Sequence, residues 1–289
     1  MSTPILRDMA WRFVAGESLE EGLEAVRALN AKGILGTMNY IGTHVRREAE
    51  ALHATDAAIA CLGRVQEAGL ATHLSLKLTQ IGMDIDLGLC RRNLAKVLDC
   101  AHGLGNFVRI DMEESAYTED TLQLFQEAHA EHPDTVGIVL QSYLHRNTVD
   151  LDRMIAMGAS VRLVKGGYWE SGDVAYRKKA EIDQAFLRDV ENLVLRGKSP
   201  AFATHDPLAI ERAIEVAAKA GLGKDAMEFQ MLFGVGQDLA DDLLHRGFRV
   251  RSYVPYGTHW YEYVLGCIRR DPGRVLRSDR PRETSTPVG

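Results

Sequence analysis

Short apolar runs alternate with longer amphipathic segments along most of the chain. Apolar runs bounded by Gly, Pro or polar residues predict buried strands, and apolar residues spaced at i, i+3 and i+4 predict helices that bury one face. We predict strands near residues 34–40, 72–78, 106–112, 135–141, 159–165, 201–204, 227–232 and 249–254. The periodicity between them predicts helices over residues 46–68, 87–102, 119–131, 149–157, 180–196, 207–220, 237–246 and 260–270.

Strand–helix alternation repeated eight times favours one fold class. It predicts an α/β protein with a closed (β/α)8 barrel of the TIM type rather than an open sheet. We predict an N-terminal helix over about residues 8–31, in which Ser18 and Glu21 form a capping box. Because no linker or composition shift interrupts the pattern, we expect a single domain over residues 1–289. The Arg- and Pro-rich tail at residues 272–289 is expected to be flexible.

Composition narrows the class of protein. The chain has 289 residues, a net charge of -6 and a pI near 5.9, and no basic run, which argues against a nucleic-acid binder. No signal-peptide pattern and no membrane-length apolar run is visible, and the four cysteines are scattered. We therefore expect a cytoplasmic protein with reduced thiols. A peripheral membrane contact of the N-terminal segment and a homo-oligomer are left open.

The segment Arg162-Leu163-Val164-Lys165-Gly166-Gly167-Tyr168 carries the strongest chemical signal. It predicts a buried strand that contains two cations and ends in a glycine pair. Buried Arg and Lys usually meet an anion or a catalytic partner, and glycines let the backbone approach a ligand closely. An edge strand with solvated charges is the alternative for this segment alone.

In a TIM-type barrel the functional residues lie at the carboxyl ends of the strands. Polar or charged residues occupy these ends throughout, which predicts a pocket for an organic ligand: Asn39, Lys77, Asp111, Gln141, Arg162, Lys165, Thr204, His205, Gln230 and Tyr253. The chain has no G-x-G-x-x-G motif and no P-loop. The run Thr204-His205-Asp206 could supply a metal ligand, but without a second clustered His or Cys we predict no metal site.

Seven segments, in the same order along the chain, resemble the proline dehydrogenase family. They lie at residues 75–80, 109–113, 137–143, 162–168, 203–207, 228–230 and 253–257, and the resemblance extends from about residue 10 to about residue 275. It implies a barrel that binds FAD without a Rossmann motif. It also implies oxidation of proline to pyrroline-5-carboxylate, with a quinone or another acceptor taking the electrons.

The resemblance further implies individual roles. Arg162 would lie beside the flavin N5 and Lys165 would bind the cofactor, with Gly166 and Gly167 allowing the backbone to reach it. Further cofactor contacts would come from Met112, Gln141, Thr204, His205 and Gln230. Lys77 and Tyr253 would contact the small amine substrate, and Asp111 would pair with Lys77. The implied catalytic residues are Asp111, Arg162 and Tyr253.

The chain departs from the family pattern in its last helix. The family has two adjacent arginines there that hold the substrate carboxylate, and ungapped alignment places Gly266 and Cys267 at those positions. A family glutamate after the first strand is replaced by Thr43. This paired loss suggests that the enzyme prefers a cyclic or secondary amine whose carboxylate is missing, masked or bound differently. The alternative is that Arg269 or Arg270, about one turn later, holds the carboxylate.

Two other function classes fit the same barrel. One is a Schiff-base lyase that uses Lys77 or Lys165 as its nucleophile. That chemistry needs an uncharged lysine, and a neighbouring carboxylate at Asp111 favours the charged form. The other is a catalytically silent flavin-binding protein. The retained charges at Lys77, Asp111 and Arg162 argue against it, because a silent site has no need to bury them.

Overall fold

A computed structural model describes residues 10–270 of the chain, and the side chains of residues 10–267. Eight parallel strands form a closed barrel in which each strand pairs with its neighbours in sequence and β8 pairs with β1. The strands are β1 Leu35–Tyr40, β2 Thr72–Leu76, β3 Val108–Ile110, β4 Val136–Gln141, β5 Ser160–Val164, β6 Lys198–Ala203, β7 Glu228–Leu232 and β8 Arg249–Tyr256.

α-Helices cover the outside of the barrel. Those with both ends inside the described residues are α1 Leu19–Asn30, α2 Glu48–Glu67, α3 Leu87–Gly103, α4 Thr118–Glu131, α5 Asn147–Ala156, α6 Lys179–Arg196, α7 Pro207–Lys219, α8 Gln237–His245 and α9 Trp260–Arg270. Short 3-10 helices occur at Leu78–Ile81, Ser115–Tyr117 and Lys224–Ala226. Across residues 10–270, no helix has both the length and the apolar composition needed to cross a bilayer.

The hydrophobic core is the layer between the strands and the helices. Its largest fully buried side chains include Phe125, Phe186, Phe202 and Phe229. The inside of the barrel is polar instead, because alternate strand positions point to opposite faces. On β3, for example, Arg109 contacts Ser160 of β5, and two residues later Asp111 contacts Ser75 of β2. The polar residues at strand ends therefore surround the barrel axis.

The structure confirms the predicted fold class and the order of all eight strands. The N-terminal helix is shorter than the predicted 8–31, because residues 11–18 form turns and loop. The capping box sets this start: Ser18 Oγ accepts from the Glu21 N–H, and the Glu21 carboxylate accepts from the Ser18 N–H at 2.9 Å. The predicted flexible tail at 272–289 lies outside the described residues, and the extent of the single domain stays a prediction.

Candidate active site

A cavity of about 1030 Å³ opens at the carboxyl ends of the strands. It brings together most of the residues that the sequence singled out. Those that line it are Lys77, Asp111, Met112, Gln141, Arg162, Lys165, Gly166, Gly167, Thr204, His205, Gln230, Tyr253 and Cys267. A cavity of this size, with a few convergent polar groups, is typical of an enzyme site for an organic ligand.

Asp111 is the centre of the polar floor of this cavity. Its Oδ1 accepts hydrogen bonds from Ser75 Oγ at 2.7 Å and from Arg162 Nη1 at 2.8 Å. Its Oδ2 accepts from the Tyr253 hydroxyl at 2.8 Å. Three donors from β2, β5 and β8 thus fix one carboxylate that follows β3. Because Asp111 and Arg162 are both buried, each compensates the charge of the other.

Lys77 lies above this carboxylate with looser contacts. Its Nζ is 3.8 Å from Asp111 Oδ2 and 3.5 Å from both Asn39 Oδ1 and the Tyr253 hydroxyl. An ammonium group has three donors, and contacts of this length leave it able to bind an acceptor more tightly. Two cations, Lys77 and Arg162, therefore flank one carboxylate at the floor.

Tyr253 keeps its proton. Burial, reinforced by the negative charge of Asp111, raises the pKa of the Tyr253 hydroxyl well above its usual value. The hydroxyl is therefore a donor to Asp111. The Arg162 guanidinium lies 5.6 Å from the centre of the Tyr253 ring, so the cation also packs over its face.

Lys165, just after β5, is held by two carboxylates. Its Nζ is 2.5 Å from Oδ1 of Asp183, on α6, and 2.6 Å from Oδ2 of Asp206, whose other carboxylate oxygen caps α7 by accepting from the Leu208 N–H. Burial alone would raise the pKa of each carboxyl, but the hydrogen bond from Lys165 leaves both pKa values below their usual range. The ammonium thus joins the ends of β5, α6 and α7 at the cavity wall.

The first glycine of the pair after β5 is needed for steric reasons. Gly166 has φ +123°, and a Cβ at this position would lie 2.2 Å from Cδ1 of the Tyr143 ring. A side chain is therefore excluded by both the backbone conformation and the space. Gly167 and Tyr168 follow along the same wall of the cavity.

The wall at β6 and β7 presents Thr204, His205 and Gln230. Thr204 Oγ1 accepts from the Asp206 N–H at 3.1 Å, and His205 Nε2 accepts from the Leu232 N–H at 3.2 Å. Because Nε2 is an acceptor, the neutral His205 ring carries its proton on Nδ1. These contacts orient both side chains at the cavity.

Two buried glutamines are oriented differently. Gln141 Nε2 donates to the Glu113 carbonyl at 2.8 Å, which joins β4 to the segment after β3 that contains Met112. Gln230 Nε2 donates to Glu228 Oε1 at 2.6 Å, towards the amino-terminal half of the barrel. Both residues still contribute to the cavity lining.

The positions where this chain departs from the family's site for the substrate carboxylate lie at or beside the cavity. Thr43 and Cys267 line the cavity, and Gly266 precedes Cys267 on α9. Arg269 and Arg270 lie in the same helix, but their side chains fall outside the described residues. The hypothesis of a remodelled substrate pocket therefore stays a prediction.

Several neighbouring residues were missed from the sequence. Ser75 was noted only as part of a motif, yet it donates to Asp111. His44, Glu113 and Glu114 form a group whose possible ligand atoms all lie within 4.8 Å of one another, beside the cavity. His44 is far from Glu113 and Glu114 along the chain, and their spacing matches no metal-binding motif. The fold of the barrel brings the three side chains together.

Comparisons with known proteins agree with this architecture. The family model for proline dehydrogenase matches residues 22–262. The chain is 37% identical to a proline dehydrogenase of Deinococcus radiodurans over 274 residues, covering 92% of this chain and 87% of that protein. It is 32% identical to proline dehydrogenase 2 of Bacillus subtilis (strain 168), covering 93% of this chain and 88% of the relative.

A solved structure supports the fold. Proline utilization A from Bdellovibrio bacteriovorus superposes with a TM-score of 0.85 at 24% identity, over 90% of this chain and 32% of that longer protein. At this identity the likeness concerns the barrel alone. Together with the family match over most of the described residues, the findings show that the chain belongs to the proline dehydrogenase family.

Proposed function

We propose that this protein is an FAD-dependent proline dehydrogenase. It would oxidise the CH–NH bond of proline to the imine pyrroline-5-carboxylate and pass two electrons to a quinone or another acceptor. The observation that carries the proposal is Asp111, held by Arg162 and Tyr253 with Lys77 at 3.8 Å, at the floor of a large cavity. A cytoplasmic location is part of the same proposal.

The residues of the cavity fit a flavin. Arg162 Nε is buried and has no hydrogen-bond acceptor among the described residues, so the floor offers a donor for the ring nitrogens and oxygens of a flavin. Gly166 and Gly167 leave the wall beside it free of side chains. Arg162, Lys165, Gln141, Thr204 and His205 would hold FAD, which when bound supplies the hydride acceptor.

The substrate would lie between this cofactor position and the Tyr253 ring. Lys77 has loose contacts to Asn39 and Tyr253, so its ammonium is available to the carboxylate of proline. Asp111 holds Arg162 and Tyr253 in fixed positions, which orients the substrate for hydride loss from the carbon beside nitrogen. Met112 and Val139 add buried apolar side chains to the wall, which would disfavour water beside the substrate.

The first experiment is an anaerobic titration of the purified, FAD-loaded protein with L-proline, followed by flavin absorbance. Bleaching by L-proline but not by D-proline is the expected result. A protein that cannot be loaded with FAD, or a bound flavin that L-proline fails to reduce, would overturn the proposal. Parallel titrations with pyrrolidine and L-proline methyl ester test the alternative substrate class.

A variant series tests the role of Lys77. Lys77→Met is expected to raise the KM for L-proline by about tenfold or more, because a charge-assisted contact to the carboxylate is lost. Oxidation of pyrrolidine, which has no carboxylate, should change far less. Lys219→Met, at an exposed position of α7 outside the cavity, is the control. Equal losses with both substrates would mean that Lys77 does not bind the carboxylate.

A further inference from the structure

A second cavity lies at the amino-terminal face of the barrel, opposite the candidate active site. Its volume is about 290 Å³, and we refer to it as the basal cavity. Strand starts contribute most of its wall, and the residues with polar side chains are His73, Arg109, Asp134, Ser160, Lys198, Ser199, Glu228, Arg249 and Arg251. None of them takes part in the proposed oxidation.

Arg109 is a buried guanidinium without a carboxylate partner. It is 5% exposed, and it donates to the carbonyls of Ile138 at 3.2 Å and Ser160 at 2.6 Å, and to Ser160 Oγ at 3.1 Å. Across the described residues, no carboxylate oxygen lies within 4.0 Å of its nitrogens. Gly137 makes room for it, since a Cβ there would lie 2.4 Å from Arg109 Nη1. Its direct partners are therefore neutral dipoles and the Phe107 ring, whose centroid lies 4.9 Å from the guanidinium carbon.

The buried carboxylate of the same cavity is already committed to another cation. Both oxygens of Glu228 accept from Arg251, at 2.7 Å from Nε and 3.0 Å from Nη2. Gln230 donates a third hydrogen bond to Glu228 Oε1. The bidentate pair with Arg251 balances one charge against one, so Glu228 attracts Arg109 only at longer range and does not pair with it.

The rim adds further positive charge. Lys198 and Arg249 are exposed at the edge of the cavity, and Lys198 Nζ is 3.0 Å from Asp134 Oδ1 on the surface. Burial, together with the nearby cation Arg251, lowers the pKa of His73 well below its usual value, so that ring is neutral. The lining therefore carries four cations, Arg109, Lys198, Arg249 and Arg251, against the two carboxylates Asp134 and Glu228.

We propose that the basal cavity binds a small dianionic oxyanion, a phosphate or a short dicarboxylate. Arg109 is the buried anchor, and Lys198 and Arg249 attract the anion at the rim. The volume admits a group of this size and is far smaller than the carboxyl-face cavity. An oxyanion would supply the negative charge that a buried guanidinium usually meets, and the Ser160 and Ser199 hydroxyls are further donors for it.

A purely structural role of Arg109 is the competing explanation, because its hydrogen bonds join β3 to β4 and β5. In that case the protein needs no anion, and the rim cations have no effect on any ligand. The two explanations therefore differ in whether added oxyanion binds saturably, and in whether binding depends on Lys198 and Arg249.

The test is an isothermal titration of the FAD-loaded full chain with inorganic phosphate, at ionic strength held constant with chloride, together with the shift in Tm. Saturable binding at millimolar phosphate and a rise in Tm are expected. The double variant Lys198→Gln/Arg249→Gln should weaken binding by about tenfold or more, because charge-assisted contacts are lost. Arg109→Met is a useful third variant only if it folds, so the rim variant decides.

A matched control removes two charges elsewhere. The double variant Lys178→Gln/Lys219→Gln removes the same number of positive charges as the rim variant. Both lysines are exposed, and each contacts a glutamate on the surface. This control should leave the phosphate affinity unchanged within about twofold. A titration with malonate in place of phosphate distinguishes a carboxylate ligand from a phosphate ligand. Saturable binding of either anion that is weakened by the Lys198→Gln/Arg249→Gln variant supports the site. No saturable binding of either anion, or equal loss in the control, would overturn it.

Discussion

The clearest energetic test of the candidate site is Asp111→Asn. The substitution keeps the shape of the side chain but removes the charge that compensates Arg162, 2.8 Å away, and Lys77, 3.8 Å away. Arg162 is 4% exposed, so its charge cannot be hydrated in place. Breaking a buried ion pair by removing one partner costs roughly 3–5 kcal/mol. We expect the free energy of unfolding to fall by that amount.

The measurement is equilibrium urea unfolding of the full chain, followed by circular dichroism, with the same excess of FAD for each variant because bound ligand adds to stability. Tyr253→Phe is the matched control, since it removes one neutral donor to the same carboxylate at 2.8 Å. It should cost about 1–2 kcal/mol. If the Asn variant unfolds within about 1 kcal/mol of the parent, the two cations do not depend on Asp111, and the reasoning from buried charge fails.

Two further substitutions follow from the geometry. Gly166→Ala should destabilise the protein by roughly 1–3 kcal/mol and release flavin, because Gly166 has a positive φ and a Cβ there would collide with the Tyr143 ring. Gly63→Ala on α2 is the control, since Gly63 has open space around it, and it should be neutral or stabilising in thermal unfolding. Burial alone would raise the pKa of Glu228, but Arg251 lowers it to about 2 from 4.5. The depressed value means that Glu228 stabilises the fold above pH 4.5 and that this contribution, at most about 3 kcal/mol, disappears as pH falls towards 2. Glu228→Gln should therefore flatten the stability–pH curve over this range in acid titrations, and an unchanged slope would contradict the assignment.

Much of the fold was predictable because its signals are local. Each strand and helix has its own periodicity, and the carboxyl-end rule then places Lys77, Asp111 and Tyr253 at one face of the barrel. The partners of these residues were less predictable. Asp183, on α6, binds Lys165 from a helix whose rotation about its axis no periodicity specifies to the accuracy of a hydrogen bond. The role of Ser75 was equally unpredictable. No sequence pattern distinguishes a serine on a buried strand that hydrogen-bonds a site residue from one that only fills space in the core.

The basal cavity shows a second limit of sequence reasoning. Asp111 was predicted as a site residue and Arg109, two residues earlier, was noted only as part of a motif; nothing in the sequence indicates that their side chains take opposite directions along the barrel axis. That separation depends on Gly137, which leaves space for a guanidinium on the neighbouring strand. A glycine in a strand has several explanations, and only the packing around it selects one.

The three donors to Asp111 also have a consequence for biosynthesis. Ser75, Arg162 and Tyr253 are separated from Asp111 by 36, 51 and 142 positions along the chain. Such long separations make these contacts slow to form, because each requires closure of a large loop. The last donor lies on β8, which must emerge from the ribosome before the barrel can close against β1. In a nascent chain that ends before β8, the Tyr253 donor to Asp111 is missing, so the site is assembled only after β8 has been synthesised.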